Sequence, residues 1–94
     1  MNKIIAVSLV ADCADIIESF VRHTLTYADE MIVIDHAAAD GTGDVLHALC
    51  EEGLPLCIER YEAAELCHDE IMTALMHRAF GEHGADIVVP VDAD

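Results

Sequence analysis

Four short apolar runs recur along the chain, and the stretches between them mix apolar and polar residues with a helical period. Uninterrupted apolar runs of this length are typical of strands covered on both faces, as in a parallel sheet. The runs predict four strands, over residues 4–10, 31–35, 54–58 and 87–91.

The intervening stretches have apolar positions spaced as in helices with one covered face. They predict helices over residues 15–27, about 44–51 and about 64–80. Asp12 or Asp15 is placed to cap the first helix. Gly53 is placed to end the second in the left-handed conformation, and Gly81 and Gly84 follow the third.

A helix between each pair of successive strands implies right-handed crossovers and parallel pairing. The predicted fold class is therefore α/β, a parallel sheet of about four strands with helices on both faces. Pro90 cannot donate a ladder hydrogen bond, so we expect it at a sheet edge or where pairing ends. The length fits one small domain over residues 1–94.

The charge narrows the possible partners, because 19 acidic residues stand against 4 basic ones and give a net charge of −15. This surface would repel nucleic acid and anionic membranes, so we expect neither as a partner. No apolar run is long enough to span a membrane, and no cleavage site follows the first apolar run. The four cysteines lack zinc-site or disulfide-scaffold spacing. We expect a cytoplasmic chain.

Acidic residues follow three of the predicted strands: Asp12 the first, Asp35 the second, and Asp92 with Asp94 the fourth. Asp92 and Asp94 alternate in an extended chain and face the same side, where Mg²⁺ or Mn²⁺ would relieve their repulsion and bridge a diphosphate. A solvated acidic loop is the alternative for this pair.

Asp35 is placed to accept a hydrogen bond from a ribose hydroxyl or a base N–H, and the alternative is a turn or capping aspartate. His36 beside it is either a ligand or, as we favour, a residue that hydrogen-bonds within its loop. Gly41 and Gly43 match only part of a dinucleotide fingerprint, and we interpret them as a helix-start loop, with the segment 40–42 shaping the turn and capping the helix.

Three segments together resemble the nucleotide-binding half of an inverting family 2 glycosyltransferase with the GT-A fold. They are ADCADIIESFVRHTL, EMIVIDHAAADGTGDVL and GADIVVPVDAD, and all 94 residues can be aligned along this half. The resemblance implies a Rossmann-like fold, the first half of a GT-A domain, that binds a UDP- or GDP-sugar. It places Asp12, Asp35 and Asp92 on the nucleotide and Asp92 with Asp94 on Mn²⁺ or Mg²⁺, which neutralises the leaving diphosphate.

The chain differs from the family pattern in its first loop, at Ala37-Ala38-Ala39, and in ending at the second aspartate of the metal motif. The family's acceptor wall and catalytic base lie beyond that point. We therefore expect a fragment or truncated form that is inactive alone, with an unknown acceptor and no base to nominate. A non-catalytic α/β nucleotide-binding or interaction module is the second hypothesis, and a phosphoacceptor at Asp35 is a remoter one. A homo-oligomer is also expected, because an incomplete sheet exposes an edge.

Overall fold

The computed structural model describes residues 3–11, 13–36, 41–61 and 68–91. Strands and helices alternate strictly along the chain. The elements are β1 Ile4–Val10, α1 Ile17–Thr24, β2 Glu30–His36, α2 Thr42–Glu51, β3 Leu56–Tyr61, α3 His68–Gly81 and β4 Ile87–Pro90. All seven predicted elements are present in the predicted order.

The four strands form one parallel sheet in the order β3-β2-β1-β4. The α/β prediction is confirmed. β1 and β2 are the central strands. They are the most buried because each has a strand on both sides and a cluster of apolar side chains on both faces. None of the helices in the described ranges is long and apolar enough to cross a membrane.

Two buried clusters hold the layers together. On one face, Ala6, Val10, Met31 and Val33 of the sheet pack with Ile17 and Val21 of α1 and with Leu46 and Leu49 of α2. On the other face, Ile5, Val7, Ile32 and Ile34 pack with Leu75 and Ala79 of α3. Burying one large aliphatic side chain contributes about 1.5–3 kcal/mol, against about 0.2–1 kcal/mol for an exposed ion pair. The clusters, and not the surface charges, therefore fix the three-layer arrangement.

Pro90 lies at the end of β4, an edge strand, as predicted. The amides of Ile87 and Val91 donate to the carbonyls of Lys3 and Val7 in β1. Since amide direction alternates along a strand, the backbone nitrogen of residue 90 points away from β1. A proline at this position therefore removes no hydrogen bond from the sheet. It also leaves the outer edge of β4 with one amide donor fewer.

Helix capping differs from the predictions. The residue before α1 is Ile16, which makes no capping hydrogen bond through its side chain, and Asp15 does not cap the helix. Instead, the carbonyl of Cys13 accepts hydrogen bonds from the amides of Ile16 and Ile17, so a backbone turn already leads into the helix. The other proposed cap, Asp12, lies outside the described residues.

The second helix begins about two residues earlier than predicted. α2 begins at Thr42 after Gly41, which has φ +96°, so the cap falls within the predicted segment 40–42 but is formed without a side-chain hydrogen bond. Gly53 has φ +103° and follows the end of α2, as predicted. β3 ends at Tyr61, three residues later than predicted, and α3 is described from His68.

Candidate functional site

The strand order of the sheet reverses direction at β1. β2 and β3 follow β1 towards one side, whereas β4 lies on the other side of β1. In open α/β sheets, ligands bind outside the carboxyl ends of the strands where the order reverses in this way. In the sequence, Asp12 comes after β1, and Asp92 and Asp94 come after β4. These three residues lie outside the described part of the chain, so their predicted roles stay predictions.

Asp35 lies at the carboxyl end of β2, as predicted. It is paired in register with Val10 of β1 and Arg60 of β3. Alternation along β2 directs its side chain to the same face as Met31 and Val33, which is the face covered by α1 and α2. The residue is only 2% exposed. Asp35 is therefore a buried carboxylate beneath the helical layer, and not a solvent-facing loop residue.

Arg60 is the partner of Asp35 that the sequence analysis missed. Its Nη1 lies 3.3 Å from Oδ2 of Asp35, and its side chain is 48% exposed while that of Asp35 is 3% exposed. The predicted third strand ended at Ile58, which left Arg60 in a loop. Extending that strand by two residues would have placed Arg60 beside the end of β2. The segment Glu59-Arg60-Tyr61 is not an apolar run, and for this reason the hydrophobic pattern did not predict that it belongs to β3. The solvent-facing part of this ion pair is the guanidinium.

The first turn of α2 closes over the Asp35 carboxylate. A Cβ atom added to Gly43 would lie 2.9 Å from Oδ2 of Asp35, closer than carbon and oxygen tolerate. A negative charge is stabilised at the N-terminus of a helix by the helix dipole. Gly41 and Gly43 thus belong to a helix start, as interpreted from the sequence, but Gly43 has a further role in making room for a carboxylate.

Thr42 connects the same turn to the loop after β1. Its Oγ1 accepts a hydrogen bond of 3.0 Å from the amide of Cys13, in a buried position. Cys13 directly follows Asp12 in the sequence. Thr42, the first residue of α2, therefore holds a neighbouring loop through its hydroxyl.

Two other polar residues occupy the strands near this edge. His36 ends β2 and is half-buried, and alternation places it on the α3 side, opposite Asp35. Ser8 is fully buried in β1, and its Oγ is the buried side-chain oxygen or nitrogen without a hydrogen-bond partner among the described residues. Ser8 lies in register with Val33, two pairs before the Asp35 position. It sits in the core and contributes no group to the carboxyl edge.

Every basic side chain of the protein is paired with at least one carboxylate. The pairs are Lys3 with Glu30, Arg22 with Glu18 and Glu52, Arg60 with Asp35, and Arg78 with Glu59 and Glu82. The hydrogen bond that Arg22 donates to Glu52 raises the pKa of Arg22, and the one that Arg78 donates to Glu59 raises the pKa of Arg78. Since the chain has 4 basic and 19 acidic residues, carboxylates remain in large excess. An incoming phosphate group therefore meets a surface that favours cations.

A second polar cluster lies at the opposite, amino edge of the sheet. Lys3 Nζ is 2.9 Å from Glu30 Oε1 and 2.7 Å from the carbonyl oxygen of His83, while His83 Nδ1 is 3.3 Å from Glu30 Oε2. The hydrogen bond from Lys3 holds the pKa of Glu30 below its usual value. These contacts join the starts of β1 and β2 to the loop before β4. The cluster stabilises the amino edge of the sheet and lies away from the carboxyl edge that holds Asp35.

The predicted metal site is not tested by these contacts. Among the described residues, no group of three or more His, Cys, Asp or Glu side chains is arranged to hold a metal ion. The residues proposed as ligands, Asp92 and Asp94, are not among them. Mn²⁺ or Mg²⁺ binding therefore stays a prediction from the sequence.

Comparisons with known proteins provide no assignment. No protein-family model matches the chain, and no curated protein matches it significantly. The functional interpretation consequently depends on the residues and their geometry.

Proposed function

We propose that this chain forms the donor-binding part of a glycosyltransferase that uses a nucleoside-diphosphate sugar. In this proposal, the carboxyl edge of the sheet binds UDP or GDP together with Mn²⁺ or Mg²⁺, and Asp12, Asp35, Asp92 and Asp94 contribute the acidic contacts. Transfer of the sugar to an acceptor hydroxyl would need a base and an acceptor wall, for which we nominate no residue. The resemblance to family 2 glycosyltransferases provides the substrate class.

The supporting observation is the Asp35–Arg60 pair at the carboxyl ends of β2 and β3. Asp35 is adjacent in register to Val10, the last residue of β1, and the strand order reverses at β1. An aspartate and an arginine together offer one acceptor and several donors, which matches the mixed polar edge of a nucleobase or a ribose. Because Arg60 is the more exposed of the two, we propose that it meets the nucleoside while Asp35 holds it in place.

Charge supports the metal requirement. A nucleoside diphosphate carries concentrated negative charge, and each of the four basic side chains already contacts a carboxylate. A divalent cation bound by Asp92 and Asp94 would supply the missing positive charge and neutralise the leaving diphosphate. We therefore expect nucleotide binding to depend on the metal.

Isothermal titration calorimetry with UDP and GDP, with and without Mn²⁺, tests the proposal. We expect binding in the presence of Mn²⁺, and loss of that binding in the double variant Asp92→Asn/Asp94→Asn. A charge-matched control, Glu51→Gln/Glu70→Gln, removes two carboxylates from exposed helix positions and should bind like the unmodified chain. The absence of heat with either nucleotide, with or without metal, would overturn the proposal.

The burial of Asp35 favours a second candidate, a non-catalytic α/β interaction module in which this edge binds no nucleotide. A carboxylate that is 2% exposed and paired with Arg60 stabilises the fold even if no nucleotide binds. On this hypothesis, Asp35→Asn lowers stability without changing any nucleotide affinity. On the glycosyltransferase hypothesis it weakens both, so thermal unfolding and calorimetry on the same variant separate the two.

The proposal also includes a cytoplasmic location and self-association. Among the described residues, Cys50 and Cys57 carry free thiols, as is usual for proteins of a reducing compartment. β4 is an edge strand, and Ile87 at its start is 41% exposed. Sedimentation velocity over a range of concentrations measures whether this edge brings two chains together.

A further inference from the structure

We propose that the first turn of α2 is the positioning element of the candidate site. In this turn, Gly43 sets the place of the Asp35 carboxylate, and Thr42 holds the loop that follows β1. The ligand in this inference depends on the proposed nucleotide-binding function, but the positioning itself depends only on contacts within the chain.

Gly43 acts through the space that it leaves. The distance of 2.9 Å from its would-be Cβ to Asp35 Oδ2 means that an alanine there requires movement. The contacting atom is the end of a side chain, so the carboxylate yields before the backbone does. Asp35 is buried, however, and has little room into which its carboxylate can turn. Gly43→Ala is therefore expected to displace the carboxylate within a largely intact fold.

Displacement of the carboxylate is transmitted to Arg60. The Oδ2 atom that faces Gly43 is also the atom that Arg60 Nη1 approaches at 3.3 Å. The same would-be Cβ lies 3.8 Å from Arg60 Nη1, which is ordinary contact. One methyl group at residue 43 thus changes the geometry of the ion pair without striking the guanidinium directly.

Thr42 gives the same turn a second connection to the site. Its buried Oγ1 accepts the Cys13 amide at 3.0 Å, across 29 positions of sequence. The loop after β1 starts at the strand where the order of the sheet reverses. The two adjacent residues Thr42 and Gly43 therefore tie the ends of β1 and β2 to one helix start.

The apo protein provides the first test. Gly43→Ala should shift the ¹³C resonance of the Asp35 carboxyl, whereas the control Gly81→Ala, at the open end of α3, should not. In urea unfolding, Gly43→Ala should lower the midpoint of the unmodified chain but raise it in an Asp35→Ala background. The sign reverses because alanine favours a helix over glycine once the carboxylate is gone. An unmoved Asp35 resonance, or equal midpoint shifts in both backgrounds, would overturn the role of Gly43.

Nucleotide binding provides the second test. Gly43→Ala should weaken UDP or GDP binding at least tenfold, and Gly81→Ala should leave the affinity unchanged. Thr42→Val, which removes the acceptor while keeping the shape, should weaken binding, and Thr42→Ser should restore it. Equal affinities for all four variants, in a chain that binds nucleotide, would refute the positioning role. If the unmodified chain binds no nucleotide, the proposed function fails, while the apo measurements still decide whether Gly43 positions Asp35.

Discussion

Replacing Arg60 by methionine is the most informative change to the Asp35–Arg60 pair. Methionine keeps much of the apolar stem of the arginine but removes the charge. The remaining carboxylate of Asp35 has a side chain that is 3% exposed, so water cannot fully replace the lost guanidinium. We expect Arg60→Met to destabilise the protein more than removal of an ordinary surface charge would.

The magnitude follows from the distance and the exposure of the two groups. At 3.3 Å, two unit charges attract each other by about 5 kcal/mol at an effective dielectric constant of about 20. Desolvation of Asp35 offsets much of this attraction, and solvent around the half-exposed Arg60 screens more of it. Exposed pairs are worth about 0.2–1 kcal/mol, and breaking a fully buried pair costs about 3–5 kcal/mol. We expect a pairwise coupling between these limits, of about 1–2 kcal/mol.

A double-mutant cycle measures this coupling. The free energy of unfolding in urea is determined for the unmodified chain, Arg60→Met, Asp35→Asn and the double variant. Arg60→Met should cost about 1–2 kcal/mol more in the presence of Asp35 than in its absence. A coupling below about 0.5 kcal/mol, the usual scatter of independent sites, would refute the interpretation of Asp35 as a buried carboxylate that depends on Arg60.

Three further predictions concern other parts of the fold. Because Lys3 lowers the pKa of Glu30, the stabilising effect of this carboxylate is complete above its unfolded pKa of about 4.5 and is lost as the pH falls through the folded pKa. Glu30→Gln should therefore flatten the acid limb of a curve of unfolding free energy against pH, and an unchanged limb would argue against the Lys3–Glu30 pair. Pro90→Val adds an outward amide to β4, and we expect increased self-association by sedimentation velocity; a sedimentation coefficient independent of this change would show that the edge is protected otherwise. Burial raises the pKa of the Cys57 thiol, so less of it is the reactive thiolate at pH 8. Mass spectrometry should find that iodoacetamide alkylates Cys57 more slowly than the exposed Cys50, and equal rates would contradict the burial of Cys57.

The fold was predictable because its signals are local. Apolar runs and helical periods determine which segments become strands and helices, and a helix in each gap requires parallel pairing. Glycine after a helix and proline at an outward-facing strand position are conformational requirements of single residues. Gly53 and Pro90 were interpreted correctly for that reason, whereas Asp15 was not, because α1 begins after Ile16 and the Cys13 carbonyl accepts the amides of Ile16 and Ile17.

The candidate site was only partly predictable. The sequence alone placed Asp35 at the carboxyl end of a strand, since that depends on one apolar run followed by one polar residue. It did not reveal Arg60, whose relation to Asp35 depends on the register of two strands separated by 25 positions. An edge strand also tolerates polar residues at its exposed end, so the hydrophobic pattern did not predict the last residues of β3.

The sequence by itself determined the α/β class, the order of the elements and the acidic character of the protein. Only the tertiary structure decided that β4 lies beside β1, that Asp35 is buried against Gly43, and that Thr42 holds the amide of Cys13. The physical reason is that periodicity records which side of an element is covered, but not which element covers it. Contacts between distant residues depend on strand order and on the closeness of packed layers, and neither is written in a local pattern.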